Sequence, residues 1–147
     1  MANGFIDAQL VWRNGFRSDS EKQFNKAQCF VDSETIRLMK RFTAARNLYL
    51  SEKAPVLGTK IGSGRIYYLA PYGRYQYYGK LMVSSLTGSP YARHGEKKVL
   101  TDRNLNYSKL RHPDARAKWF ETTKQRYKWQ ILLGAAVIAG GKAGGSI

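Results

Sequence analysis

Acidic side chains are scarce in this chain: ten Asp and Glu stand against 25 Lys and Arg, for a formal net charge of +15. Between Glu52 and Glu96 there is no acid at all, while Lys53, Lys60, Arg65, Arg74, Lys80 and Arg93 fall in the same span. Such a balance favours anionic partners, nucleic acid or acidic protein, and bears on association rather than fold. It also thins the catalytic inventory. The only close acid pairs, Asp19/Glu21 and Asp32/Glu34, are two residues apart, and such residues on a helix do not share a face. The sequence therefore points away from an enzyme. Cysteine is nearly absent: Cys29 stands alone, so no internal disulfide can form, and a small core filler is the natural reading. Two histidines, His94 and His112, lie in basic surroundings without cysteine partners, which argues against a zinc site. No cofactor is expected. The start of the chain has no basic residue followed by an apolar run of the secretory kind, and the longest membrane-like stretch, residues 129–141, is too short to span a bilayer. The expectation is a soluble protein made in a reducing cytoplasm, with no membrane partner.

What the chain does have is hydrophobic and aromatic content, 43% and 13%, enough to exclude full disorder and to build one modest domain over residues 1–147. Its densest feature is tyrosine: Tyr67, Tyr68, Tyr72, Tyr75, Tyr77 and Tyr78 fall within twelve residues. Residues 5–16 read as a short strand entering an Asn14-Gly15 turn. Ser18 and Glu21 have the spacing of a capping box. Phe24, Val31, Leu38 and Ala45 then recur every seven residues, predicting one helical face over residues 19–51, with a break or kink where Asp32 or Ser33 could cap a second helix. Pro55 ends that helix. Beyond it, Gly58, Gly62 and Gly64 punctuate β-favouring runs at 59–61, 65–69, 75–78 and 81–83, with a turn over residues 70–73. Residues 84–111 read as a long loop with Val99-Leu100 as its one candidate strand. Pro113 is placed to open a final helix, Phe120, Tyr127, Ile131, Ala135 and Ile138 share a face of it, and Gly140-Gly141 would end it. The expected class is α+β: a small antiparallel sheet packed against a long N-terminal helix and a C-terminal helix.

The Gly62-Ser63-Gly64-Arg65 run lacks the spacing of a phosphate loop, so these glycines read as a tight turn or a close backbone approach. Arg65, Arg74 and Lys80 interleave with the tyrosines. That pattern suits a sheet that stacks single-stranded nucleic acid, and equally a protein–protein interface, where tyrosine and arginine are enriched. From Trp129 the last helix becomes apolar almost all round, with Ile131 and Leu132 among its bulky positions, so it is expected to dock onto a partner, the alternative being that it fills the chain's own core.

The order of these runs carries a resemblance. The stretch IGSGRIYYLAPYGRYQYYGKLMV from Ile61 to Val83, then HPDARAKWFE from His112, then ILLGAAVIAGG from Ile131, resembles the signatures of the minor capsid proteins of tailed bacteriophages, in the same order and spacing. It covers residues 34–141. Where that family carries a proline-rich, threonine–glycine stretch before the sheet, this chain has residues 46–58 instead. More distantly, the layout resembles the head–tail joining and tail-completion proteins of the neck. The resemblance implies a virion structural protein made in the host cytoplasm, forming a homo-oligomeric ring of six or twelve copies around the DNA channel. Portal, neck and tail proteins would be its partners. On that reading Tyr72, Tyr75, Tyr77, Tyr78, Trp129, Ile131 and Leu132 are the candidate subunit or partner contacts. Arg65, Arg74, Lys80, Arg93, Lys97 and Lys98 are candidates for packaged DNA or an acidic neighbour. A nucleic-acid-binding module and a capsid-surface decoration protein remain as alternatives.

Overall fold

The computed structural model of the protein describes residues 11, 13–45 and 48–140. Of the strand expected over residues 5–16, residues 5–10 and 12 lie outside the described residues, and residues 11 and 13–16 form no strand. The turn at its end is present: Phe16 donates its N–H to Arg13 O, and Gly15 takes a φ of 80°, which glycine adopts without strain. From there α1 runs over Phe16–Met39 and tightens into a 3₁₀ turn at Lys40–Phe42, which Thr43 ends in an extended conformation. The capping box does not form, because Ser18 lies inside the first turn and its hydroxyl donates to Gly15 O instead.

The expected break at residues 32–33 is also absent. Asp32 is buried in the middle of α1, and its carboxylate, rather than capping a helix, accepts the backbone N–H groups of Gly62 (2.8 Å) and Gly64 (3.1 Å) and the amide of Gln28 (2.8 Å). Both glycines have positive φ, so their N–H groups converge on one oxygen much as they would on a bound anion. The GSG run therefore holds part of its own chain.

After a π-helical turn at Tyr49–Lys53, Pro55 opens rather than closes a short helix, α2, Ala54–Gly58. Residues 59–61 and 65–69 form no strand, and Ile61 already belongs to a turn closed by Ser63 N–H on Lys60 O. The hydroxyl of Thr59 donates to Tyr67 O and accepts from Tyr67 N–H, and Leu69 N–H bonds Ala54 O, so the 65–69 backbone is satisfied by a side chain and a helix end. The expected turn at residues 70–73 does form, Gly73 N–H bonding Ala70 O. The next element is a helix, not a strand: α3, Gly73–Tyr78, ended by Gly79 at φ 71°. The tyrosine-rich run is thus an extended segment and a helix.

The sheet has two antiparallel strands, β1 Lys80–Ser84 and β2 Lys98–Asn104, with a register irregularity between Lys80 and Met82. β2 contains the Val99-Leu100 pair, and β1 the expected strand at 81–83; α3 is its helical neighbour. The last helix, α4 Trp119–Ile138, starts six residues later than Pro113 suggested. Its approach segment is held by tertiary bonds: Arg116 N–H to Phe42 O and Lys118 N–H to Tyr77 O, with Lys118 itself left-handed. Helix α4 packs along α1, so close that Gly134 lies against the Phe30 ring. The core gathers Met39, Phe42, Leu50, Ala54 and Trp119, ringed by Ile36, Tyr68, Tyr77 and Tyr127. The α+β class with two long packed helices is as the sequence implied; the sheet is smaller. Trp119, not Phe120, supplies the core ring, since Phe120 is exposed.

Candidate interaction surfaces

Helix α3 is short enough that its tyrosines divide between two sides. Tyr72 and Tyr75, one turn apart, line a groove of about 650 Å³ whose other wall is the β1–β2 hairpin, with Leu81, Met82, Tyr91 and Lys98. The hairpin is set against α3 by Leu105 N–H bonding Gly79 O and by the Tyr107 hydroxyl donating to Gln76 O. The structure thus brings together Tyr72, Tyr75 and Lys98. Tyr91, 78% exposed, joins them from the hairpin loop. Sequence reasoning missed Tyr91; its signal was an aromatic after Ser89-Pro90 in a polar stretch.

Tyr77 turns the other way. Its ring stands edge-on to Trp119 at 4.9 Å, and its hydroxyl donates to the Glu121 carboxylate. Burial, then the hydrogen bond to the Glu121 carboxylate, push the Tyr77 pKa well above the ordinary tyrosine value. Tyr77 is half-buried and serves the chain's own packing. Tyr78 remains exposed, its ring edge-on to Tyr77. Tyr68 is turned inward as well, with its hydroxyl oxygen buried and burial raising its pKa.

The basic candidates lie on separate elements. Arg65 follows the Gly62–Gly64 loop against α1, and Arg74 projects from α3; both are exposed. Arg93, Lys97 and Lys98 are exposed on the hairpin, where Lys98 Nζ donates to Pro90 O at 2.8 Å. Lys80 is half-buried, and its ammonium donates to Asp102 O and Asn104 Oδ1, so its charge is committed to the hairpin.

Helix α4 has two apolar faces. Trp119, Thr123, Tyr127 and Ile131 follow one another at four-residue spacing along the face turned to the core. Ile131 is buried there, 7% exposed, and so cannot be a partner contact as expected from the sequence. Turned away from that face, Trp129 and Leu132 are exposed, Trp129 by 73%, and Leu133 and Val137, at the edge of the core face, are exposed as well. Of the expected helix contacts, Trp129 and Leu132 are therefore available.

Among the described residues no cluster of three or more His, Cys, Asp or Glu could hold a metal ion, and no helix is long and apolar enough to cross a membrane. Compared with protein-family models, curated proteins and solved structures, the chain matches none.

Proposed function

We propose that this chain is a structural protein of a tailed-phage particle, a non-catalytic subunit of a ring in the neck that joins portal to tail around the DNA channel. The observation that carries this reading is the second apolar face of α4. Trp129 and Leu132 lie exposed opposite the face that packs on the chain's own core, and Leu133 and Val137 extend the exposed apolar surface to its edge. Large exposed apolar patches mark sites of association. A heterologous contact repeated around a closed rotation makes a ring, and the reading takes six or twelve copies. The tyrosine groove between α3 and the hairpin supports it as a second adhesive surface, with rigid aromatic rings of the kind enriched at interface hot spots. The ordered resemblance to minor capsid and neck proteins supplies the setting: assembled in the host cytoplasm, carried in the virion, in contact with portal, neck and tail proteins and with DNA without sequence preference. It requires no cofactor and no membrane.

Imaging of the intact particle with the chain localised by a tag tests this. A symmetric ring between capsid and tail is the expected result; a lone copy at a non-symmetric position, or a scatter over the capsid faces, overturns it.

A further inference from the structure

A positive cluster lies on none of the candidate contact positions named from the sequence. Three guanidinium groups surround the buried ring of Phe42: Arg126 at 5.2 Å from its centroid, Arg116 at 5.7 Å and Arg41 at 5.9 Å. They come from three places in the chain, the 3₁₀ turn after α1, the approach to α4, and α4 itself. Beside them opens a cleft of about 640 Å³ lined by Arg37, Lys40, Arg41, Arg111 and His112, together with Pro113 and Asp114.

The carboxylates present do not neutralise this set. Glu34 pairs with Arg37, Glu52 with Lys40 and Asp114 with Arg41. Six cations (Arg37, Lys40, Arg41, Arg111, Arg116, Arg126) less these three acids leave a surplus of three positive charges. Arg41 holds the Asp114 carboxyl below its ordinary range, with Arg126 and Arg116 adding to the effect; Lys40 does the same for Glu52, aided by His112 and Arg111. The arginines are exposed. Arg41 is engaged by Asp114 and the Tyr127 hydroxyl and Arg37 by Glu34, whereas Arg111, Arg116 and Arg126 form no ion pair among the described residues and can turn to a ligand.

We infer that this cleft and its arginine cluster bind the phosphodiester backbone of a nucleic acid. Arginine's planar fork matches phosphate oxygens in a bidentate way, and regularly spaced phosphates can meet guanidinium groups presented from three elements at once. Guanidinium forks spread over three elements meet phosphates rather than base edges, so contact is to backbone and indifferent to sequence. A polyanion also relieves the mutual repulsion of charges crowded around one ring. This rests on the DNA contact of the proposed function and names its surface, and because an isolated monomer can show it, its failure is distinguishable from failure of the ring.

The test uses the full chain and a labelled 20-base-pair duplex, followed by fluorescence anisotropy over a salt series. Binding is expected to weaken steeply with salt. The combined variant Arg111→Gln/Arg116→Gln/Arg126→Gln should reduce the log–log salt slope by about 2–3, since each phosphate contact contributes about 0.9. The hairpin variant Arg93→Gln/Lys97→Gln/Lys98→Gln should retain more of the slope. If the triple variant does not fold, as judged by circular dichroism, each single variant should lower the slope by about 0.9. Wild-type slope and affinity in a folded cluster variant would overturn the inference. So would tighter binding of polyglutamate than of the duplex at equal salt, which would assign the cluster to an acidic protein.

Discussion

At the scale of single residues, Gly58 and Asp32 join stretches of chain that the sequence alone leaves apart. A Cβ on Gly58 would run into Tyr67 O, a backbone atom that cannot swing aside. Gly58→Ala should therefore cost about 1–3 kcal/mol, the usual penalty of overpacking, read as a lower urea midpoint with unchanged m-value. A midpoint equal to wild type would mean that the 65–69 segment does not lie on α2. Asp32 receives three hydrogen bonds, two from backbone N–H groups of the 62–64 loop. In Asp32→Ala those donors lose their partner at a buried site, and roughly 3 kcal/mol should be lost, because bonds to a charged acceptor contribute about 1.5–3 kcal/mol each. Hydrogen exchange at Gly62 and Gly64 should accelerate with it. Protection unchanged at both amides would sink this account.

At the scale of elements, α3, α4 and the hairpin are fastened by tyrosine hydroxyls. Tyr77 donates to Glu121 on α4, and Tyr107, from beyond β2, donates to Gln76 on α3. Burial raises the pKa of Tyr77 and of Tyr107 above the ordinary 10.0. The neutral form is thus favoured by the fold. The stability these groups contribute is whole below pH 10 and is lost as pH rises above it, through the raised folded values. Thermal denaturation monitored from about pH 8 upward should show this alkaline decline, and Tyr77→Phe should make it shallower. An equally steep decline in the variant would place the sensitive group elsewhere. On the acid side the same reasoning runs in reverse. Arg41 and Lys40 lower the pKa values of Asp114 and Glu52, so the pairs that tie the end of α1 to residues 114 and 52 weaken as pH falls through the lowered carboxylate values.

At the scale of the whole molecule, assembly is proposed to run through the outer face of α4. Trp129→Ser, Leu133→Ser and Val137→Ser change exposed side chains only, so the monomer should keep its thermal stability to within about 0.5 kcal/mol each. Incorporation of the combined variant into particles should fall severely, measured by its copy number in purified virions. Normal copy number would remove this face from the assembly. Deletion of the helix from residue 131 onward is a poorer probe. It takes away the buried Ile131 and the Gly134 seat of Phe30, and would damage the fold together with any interface.

Charge, the lack of a disulfide and the presence of two long helices could be read from residue types and spacing, because net charge is a sum and a helical face repeats within a few turns. So could the turns at Gly15 and residues 70–73 and the helix stop near Gly140, where local backbone geometry decides. The secondary structure of the tyrosine run could not. Residues 75–78 have strand-forming side chains, yet Gly73 and Gly79 bound them as a helix that turns Tyr77 onto Trp119 while Tyr72 and Tyr75 line a groove. The continuity of α1 was equally illegible, since a mid-helix Asp reads as a cap until a loop thirty residues on occupies its carboxylate. Pro113 had every local mark of a helix start. The start moved to Trp119 because backbone bonds from residues 116 and 118 to Phe42 and Tyr77 outweigh one turn of isolated helix, whose first turn is costly to nucleate. Which side of α4 is buried, and the gathering of Arg41, Arg116 and Arg126 on one ring, depend on contacts between residues far apart in the chain, and only the tertiary structure decided them.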